Sequence, residues 1–222
     1  MTHLKNKAVI LGGGFNPIGL HHEEMAARIW DKVHAPVWLM PCYDHKFSKR
    51  SKLIPHAHRW NMVVEAISAP VFRAELVACD WEIANEHNGS MFEAMDGLTE
   101  KYPDTTFSIA IGMDNARVIN LPREQGGWDR GELLIERFQF IVLKRTQLSF
   151  TPTSHHDDVP EWCQKPQHTV IEFDNPMSSS IIRSRIVDGA SDGEYTEAIK
   201  TLNPRVWDYI QAGELYGYGR QE

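Results

Sequence analysis

Residues 7–23 read KAVILGGGFNPIGLHHE. The apolar run at 7–11 predicts a buried strand, and a segment with helical spacing follows from about residue 21 to residue 33. Between them, the three glycines at 12–14 predict a turn in which the backbone can approach a ligand closely. A helix that begins directly after such a turn offers free N–H groups and the positive end of its dipole to an anion. The stretch therefore predicts an anion-binding turn between a strand and a helix.

Short apolar runs alternate with helical segments along the rest of the chain. Further strands are predicted at 36–40, 71–77, 107–111, 138–143 and 169–173. Further helices are predicted at 57–68, 90–101, 179–187, 193–202 and 204–212. Ser90, with Glu93 three residues on, predicts the N-cap of the helix at 90–101. The alternation of strands and helices predicts parallel strands joined by right-handed crossovers. The predicted fold is therefore a three-layer α/β fold with a parallel sheet between two layers of helices. The polar segment 144–168 contains three prolines and is predicted to be a long surface loop.

The composition is that of one globular domain. The chain has 222 residues, 42% of them hydrophobic, which predicts a single domain over 1–222 with a helical C-terminal part from about residue 178. The longest apolar runs are far shorter than the roughly 20 residues of a membrane helix. A net charge of −7 disfavours non-specific nucleic-acid binding, which needs surplus Lys and Arg. We therefore expect neither a membrane nor a nucleic acid as a partner.

The cysteines indicate a reducing compartment. Cys42, Cys79 and Cys163 are odd in number, lie far apart in the sequence and form no CxxC pair. Such usage does not support a disulfide framework. We therefore expect the protein to be cytoplasmic.

Two common phosphate-binding signatures do not fit the glycine-rich turn. A Walker A loop requires GxxxxGK[ST], and no such Lys-Ser or Lys-Thr pair follows the glycines. The dinucleotide fingerprint GxGxxG would require glycine where Pro17 stands, and proline has no N–H to donate. The turn therefore needs another interpretation.

The turn resembles the GxFDPxHxGH signature of the HxGH nucleotidyltransferase superfamily. Phe15-Asn16-Pro17-Ile18 correspond to F-D-P-I, and His22 corresponds to the second histidine. Further segments are similar, in order and spacing, to nicotinate/nicotinamide mononucleotide adenylyltransferases. These segments are PCYDHK at 41–46, RWNM at 59–62, IGMD at 111–114, Trp128 with Leu133, MSSSIIR at 177–183 and VWDYIQAGELY at 206–216.

The resemblance implies a Rossmann-like parallel sheet with C-terminal helices, and an enzyme of NAD biosynthesis. In that reaction the phosphate of a mononucleotide attacks the α-phosphorus of ATP, giving a dinucleotide and pyrophosphate. The implied ligands are ATP with Mg²⁺ and a pyridine mononucleotide, and a homo-oligomer is compatible with the resemblance. Catalysis of this kind depends on positioning the substrates and on stabilising charge.

The resemblance also implies the site residues. The catalytic group comprises His22, His21, Lys46 and Arg183. The ATP-binding group comprises Gly13, Gly14, Phe15, Asn16, Gly112, Asp114, Ser178, Ser179 and Ser180. The mononucleotide-binding group comprises Gly89, Ser90 and Trp128, and no metal ligand is expected from the protein. Several of these assignments have plainer alternatives. Lys46 fits a solvated basic stretch, and Trp128 fits an anchor that packs its loop on the core. His21 fits a solvent-exposed position, His22 a polar residue at a helix start, and Arg183 an ordinary surface residue.

The sequence departs from the signature at the histidines, because H-x-G-H becomes Gly19-Leu20-His21-His22. His21 either crowds the nucleotide or supplies the missing imidazole. Successive helical side chains diverge by about 100°, so we expect both rings to face one phosphate only if an extended 19–20 segment swings His21 into the place that Gly19 leaves empty. Three functional alternatives also stay open: nicotinate or nicotinamide mononucleotide as acceptor, another superfamily reaction such as pantetheine-phosphate adenylyl transfer, and a non-catalytic nucleotide-binding regulator.

Overall fold

Six parallel strands form the central sheet. The computed structural model describes residues 6–44, 53–145, 158–192 and 196–218. The strands are β1 Asn6–Gly13, β2 Val37–Pro41, β3 Leu76–Ala78, β4 Thr105–Gly112, β5 Gln139–Arg145 and β6 Thr169–Phe173. Their order is β3-β2-β1-β4-β5-β6, with Val9 of β1 opposite Val37 and Ile10 opposite Ile109. This is a doubly wound sheet whose order reverses between β1 and β4, and it confirms the predicted fold class.

Nine α-helices lie among the described residues. They are α1 Leu20–Val33, α2 His56–Ser68, α3 Trp81–Ala84, α4 Met91–Lys101, α5 Met113–Val118, α6 Gly131–Arg137, α7 Ser179–Asp192, α8 Thr196–Ile199 and α9 Pro204–Ala212. Short 3₁₀ turns are present at Arg123–Gln125, Glu161–Gln164 and Leu215–Gly217. Helices α3, α5 and α6 were not predicted from the sequence, because each is too short to show a helical period. None of the described helices is long and apolar enough to cross a membrane.

Two cores lie on opposite faces of the sheet, because side chains alternate along each strand. Val9 and Leu11 of β1 pack in one core with α1, α2, α7, α8 and α9. Ala8 and Ile10 pack in the other core with α4, α5 and α6. The sheet is therefore buried on both faces, as is usual for parallel sheets.

Two sequence predictions about local structure are wrong. The strand expected at 71–77 is reduced to β3, because the N–H of Val71 donates to Glu23 Oε2 at 2.8 Å instead of to a neighbouring strand. The segment expected to be a surface loop contains buried residues at Trp162, Cys163 and His168. Trp162 Nε1 donates to Ala116 O at 3.1 Å, which fixes this part of the segment against the second core.

Candidate active site

The glycine-rich turn lies where the strand order reverses. β1 ends at Gly13 and its neighbour β4 ends at Gly112, so the two carboxyl ends open on the crevice that holds ligands in doubly wound sheets. A side chain at Gly12 would come 3.1 Å from Met91 Cε, which places the start of α4 beside the end of β1. The predicted ATP-binding glycines and the start of α4 therefore share one edge of the sheet.

Phe15 and Asn16 use their side chains to hold the turn. Phe15 is 2% exposed and packs in the first core, so its ring does not offer a face to a nucleotide. Asn16 is 4% exposed, and its Oδ1 accepts from the Tyr216 hydroxyl at 3.0 Å and from the Ile54 N–H at 3.3 Å. Any contact of Phe15 with ATP is therefore left to its backbone.

His22 is held in one orientation at the start of α1. Its N–H donates to Gly19 O at 2.9 Å, and its Nδ1 accepts from the Gly19 N–H at 3.1 Å. The Phe15 ring packs edge-on against it with centroids 5.1 Å apart. Because Nδ1 accepts a hydrogen bond, this geometry assigns the proton of the neutral ring to Nε2. His22 thus carries a donor on the edge of its ring opposite to Nδ1.

His21 lies against His22 and fills the space beside Gly19. The two imidazole centroids are 3.8 Å apart, with 39° between the ring planes. A side chain at Gly19 would come 2.8 Å from His21 Nδ1 and 3.0 Å from its Cε1. Gly19 has an extended backbone, with φ −124° and ψ 170°, and α1 begins at Leu20, so both histidines lie in the first turn of the helix. The side chains turn toward each other within the first helical turn.

The start of α7 is bonded to the same turn. Ser179 Oγ donates to Pro17 O at 2.9 Å, and the Arg183 guanidinium donates to Asn16 O and, at 3.1 Å, to Ser180 Oγ. Ser178 Oγ accepts from the Ile181 N–H at 3.3 Å and so caps the helix. The structure therefore brings the predicted serines and Arg183 to the glycine-rich turn.

Arg59 is a buried cation that the sequence analysis did not place in the site. It is 1% exposed. Its Nη1 donates to Gly14 O at 3.0 Å, its Nη2 to Tyr43 O at 2.9 Å and its Nε to Ile54 O at 3.1 Å. The similarity of RWNM at 59–62 to a family segment was the available signal. Arg59 joins the turn after β1 to the segment after β2 and to the approach to α2.

Ionisable groups surround Arg59. Glu82 Oε2 accepts from the Tyr43 N–H at 3.3 Å. Burial raises the pKa of Glu82 to about 7, although this hydrogen bond and the Arg59 charge both lower it. Burial also raises the pKa of the Tyr216 hydroxyl, against the lowering effect of the Arg183 and Arg59 charges. A cleft of about 240 Å³ opens beside Arg59, and its lining residues are Tyr43, Asp44, Leu53, Ile54, Pro55, His56 and Arg59.

The residues predicted to bind the mononucleotide have structural contacts of their own. Ser90 Oγ accepts from the Glu93 N–H at 3.3 Å, and the Ser90 N–H donates to Glu93 Oε2 at 2.7 Å, which is the predicted cap of α4. The side chains of Glu93 and His87 lie where a side chain at Gly89 would extend. Trp128 is half-buried against the second core. Its contacts are compatible with the anchor interpretation as well as with a ring-binding face.

Asp114 and Lys46 are the remaining predicted side chains. Asp114 is exposed in the first turn of α5, and its carboxylate lies against Gly112. Lys46 lies outside the described residues. Within the part of the chain that the structure describes, no group of three or more His, Cys, Asp or Glu side chains is arranged to hold a metal ion.

The reversed strand order and the glycine-rich turn at the reversal define an α/β nucleotide-binding protein. The chain belongs to the cytidylyltransferase-like family, whose model matches residues 10–185. It is 32% identical over 213 residues to the probable nicotinate-nucleotide adenylyltransferase of Lactiplantibacillus plantarum, covering 93% of this chain and 86% of that protein. The probable nicotinate-nucleotide adenylyltransferase of Streptococcus pneumoniae is 30% identical over 217 residues, covering 96% and 90%. The predicted family is thereby confirmed.

A solved structure agrees with the fold. The nicotinic acid mononucleotide adenylyltransferase of Plasmodium falciparum, complexed with NaAD, superposes with a TM-score of 0.73 at 21% identity. The match covers 96% of this chain and 98% of that chain. The likeness therefore extends over the described sheet and its C-terminal helices.

Proposed function

We propose that the protein transfers the adenylyl group of ATP to a pyridine mononucleotide, as the names of its relatives indicate. A phosphate oxygen of the mononucleotide attacks the α-phosphorus of ATP, the bond between that phosphorus and the β-phosphate bridging oxygen breaks, and pyrophosphate leaves with the electron pair. Mg²⁺ enters with ATP as part of the substrate. The products are a dinucleotide and pyrophosphate, and the reaction belongs to NAD biosynthesis in the cytoplasm.

One observation carries this proposal: His22, Ser179 and Arg183 converge on the turn between β1 and α1 through direct hydrogen bonds. The site thus offers an imidazole donor, a guanidinium and the N-termini of α1 and α7 to a polyphosphate. These groups are held in place by the protein before substrate arrives. Such preorganised donors stabilise the charge that develops on the transferring group.

In this proposal, His21 supplies the imidazole that the family signature has at the position of Gly19. Its ring fills the space into which a side chain at Gly19 would extend, and it lies directly against the ring of His22. The chain therefore places two imidazoles side by side at this turn although Gly19 has no side chain, and His21 is the buried one of the two, at 3% exposed. Gly13, Gly14, Gly112 and Asp114 contact ATP in this proposal, Lys46 adds a cation, and Gly89, Ser90 and Trp128 contact the mononucleotide.

The test is pyrophosphate release from Mg-ATP with each candidate acceptor. We expect turnover with a pyridine mononucleotide and none with 4′-phosphopantetheine. His22→Ala and His21→Ala should each lower kcat by about 100- to 1000-fold, as the loss of a transition-state donor does. His34→Asn is the matched control, because His34 is exposed at the other end of α1.

Two results would contradict the proposal. ATP binding without pyrophosphate release, with every acceptor tried, would favour the non-catalytic regulator. Turnover only with 4′-phosphopantetheine would favour the other superfamily reaction. If His21→Ala were silent while His22→Ala was severe, the enzyme would work with one histidine and the role of His21 would be wrong.

A further inference from the structure

The C-terminal turn, residues 213–218, brings one side chain back to the glycine-rich turn. It follows α9 and contains the 3₁₀ turn Leu215–Gly217. The Tyr216 hydroxyl lies 3.0 Å from Asn16 Oδ1, which is 200 positions earlier in the sequence. The Tyr216 side chain also packs against the first core. A segment far from the signature in sequence is therefore bonded directly to the candidate site.

The hydrogen bonds at the Asn16 side chain have a defined direction. The Ile54 N–H lies 3.3 Å from the same Oδ1 atom, and a backbone N–H can only donate. The atom that faces both partners is therefore the acceptor oxygen of the amide, and the Tyr216 hydroxyl donates to it. Asn16 is buried, where the loss of a hydrogen-bonding partner costs more free energy than it does at the surface. The orientation of this amide thus depends on both donors.

The backbone that carries Tyr216 is strained. Glu214 has φ 47° and Tyr216 has φ 59°, and both are left-handed conformations that an L-residue with a side chain adopts at a cost in free energy. Strained residues persist where the surrounding structure holds them, and they are concentrated at functional sites. The bond from Tyr216 to Asn16 is one contact that holds this turn in place.

The glycine-rich turn is strained at the residue before Asn16. Phe15 has φ 43°, and its ring lies edge-on against the His22 ring. Asn16 is held through its carbonyl oxygen by Arg183 and through its side chain by Tyr216. Because a strained residue relaxes when the contacts that hold it are removed, loss of the Tyr216 hydroxyl should let Phe15 move. The His22 ring, which packs against Phe15, should then lose its orientation.

We propose that Tyr216 is a positioning residue for adenylyl transfer: its hydroxyl fixes the Asn16 side chain and thereby the turn that orients His22. This inference rests on the proposed function, in which His22 donates to the polyphosphate. Tyr216 contacts neither substrate in this role, and it acts through Asn16. A small effect on geometry is sufficient, because displacing a catalytic group by about 1 Å can lower a rate about 100-fold.

The first test compares kcat and the KM for ATP in the wild type, Tyr216→Phe and Tyr218→Phe, measured by pyrophosphate release with a pyridine mononucleotide. We expect Tyr216→Phe to lower kcat about 10- to 100-fold and to change the KM for ATP much less, because no contact with ATP is removed. Tyr218→Phe is the matched control, because the Tyr218 hydroxyl accepts from Gln211 Nε2 at 2.7 Å within the C-terminal part of the chain. It should leave kcat unchanged, and urea unfolding reports the stability of each variant.

The second test asks whether Tyr216 acts through Asn16. We expect Asn16→Ala to lower kcat, and we expect Tyr216→Phe to lower it no further when it is added to Asn16→Ala. Two residues that act through one contact are not additive in this way. If Tyr216→Phe lowers kcat by the same factor with and without Asn16→Ala, the proposed action through Asn16 is wrong.

The outcomes separate this inference from the proposed function. If the wild type is active and Tyr216→Phe is less stable but has the wild-type kcat, Tyr216 is structural and its positioning role is overturned. The same holds if Tyr218→Phe lowers kcat equally, or if Tyr216→Phe does not fold, because the hydroxyl would then serve folding. If the wild type turns over no pyridine mononucleotide, the proposed function is wrong and the role of Tyr216 falls with it.

Discussion

At the scale of single residues, buried polar side chains hold the candidate site by bonding to backbone atoms of distant segments. Arg59 donates hydrogen bonds to three carbonyl oxygens, those of Gly14, Tyr43 and Ile54. Arg183 binds a carbonyl in the same turn as Gly14. A buried guanidinium is stable only when its N–H groups find acceptors, so Arg59 fixes the loops whose carbonyls it needs, and the half-buried Arg183 adds a further bond to the same turn.

Gly19 is required by packing, and this can be measured. Ala at this position would put its Cβ against Ile182 Cδ1 and the His21 ring. We expect Gly19→Ala to lower the free energy of unfolding by about 1–3 kcal/mol, the usual cost of overpacking. Ile182→Val removes the Cδ1 atom, so the double variant should be less destabilised than the sum of the two single variants. Urea unfolding of all four proteins measures this, and strict additivity would contradict the packing argument.

Arg183 should matter for ATP more than for folding. Arg183→Ala removes a charge-assisted donor at the turn, and we expect a higher KM for ATP and a loss in kcat/KM of about 10- to 1000-fold. Arg185→Ala is the control on the same helix, because Arg185 donates to Glu197 O at 3.3 Å, on the C-terminal helices. Steady-state kinetics with varied ATP measures both. Unchanged ATP kinetics in Arg183→Ala would show that Arg183 only holds the turn through its bond to Asn16 O and does not bind ATP.

At the scale of elements, helix starts surround the site. α1 begins after Gly19, α4 after Ser90 and α7 after Ser178. The first N–H groups of a helix lack partners inside it, and side-chain caps satisfy only some of them. The uncapped N–H groups and the helix dipoles make this edge of the molecule attractive to anions, which matches substrates that carry phosphates.

Variants of Ser90 can distinguish its role as the cap of α4 from its predicted role in binding the mononucleotide. We expect Ser90→Ala to lower the free energy of unfolding by about 1 kcal/mol, because the Glu93 N–H loses its acceptor. Ser90→Asn keeps a good cap and should restore most of that stability. If the hydroxyl also binds the mononucleotide, both variants should raise the KM of that substrate. Denaturation and kinetics on the two variants give the answer, and an unchanged KM in both would leave Ser90 with the cap alone.

At the scale of the whole molecule, the candidate site lies where the strand order reverses, and burial of side chains near it shifts their pKa values. Glu82 lies near Arg59 and Tyr43, and burial raises its pKa from 4.5 to about 7. Because the folded state holds this proton more tightly than the unfolded chain, the contribution of Glu82 to stability is complete below about pH 4.5. It is lost as the pH rises through about 7.

Replacing Glu82 should remove this dependence. We expect the free energy of unfolding of the wild type, relative to Glu82→Gln, to fall between about pH 4.5 and pH 7 and to be constant on either side. Glu86→Gln is the control, because Glu86 is exposed and follows directly after the end of α3. Chemical denaturation across pH 4–8 measures the difference. A difference that rose with pH, or did not change, would contradict the burial of Glu82.

The sequence by itself determined the alternation of strands and helices, the cap of α4 and the glycine-rich turn. These features depend on neighbours within a few residues, where periodicity and capping patterns are visible. Together with right-handed crossovers they were sufficient to predict a parallel sheet and its ligand-binding edge. Comparison with family motifs then predicted that His22, the serines and Arg183 belong to one site.

Only the tertiary structure decided which side chains meet. The bonds of Arg59, Arg183 and Tyr216 to the turn join residues 45, 167 and 200 positions apart. The contact of the His21 ring with the His22 ring depends on the space that Gly19 and Ile182 leave beside them. The burial of Trp162 and the shortness of β3 likewise depend on Ala116 and Glu23. Such contacts result from the packing of distant segments against each other, and no local pattern in the sequence encodes them.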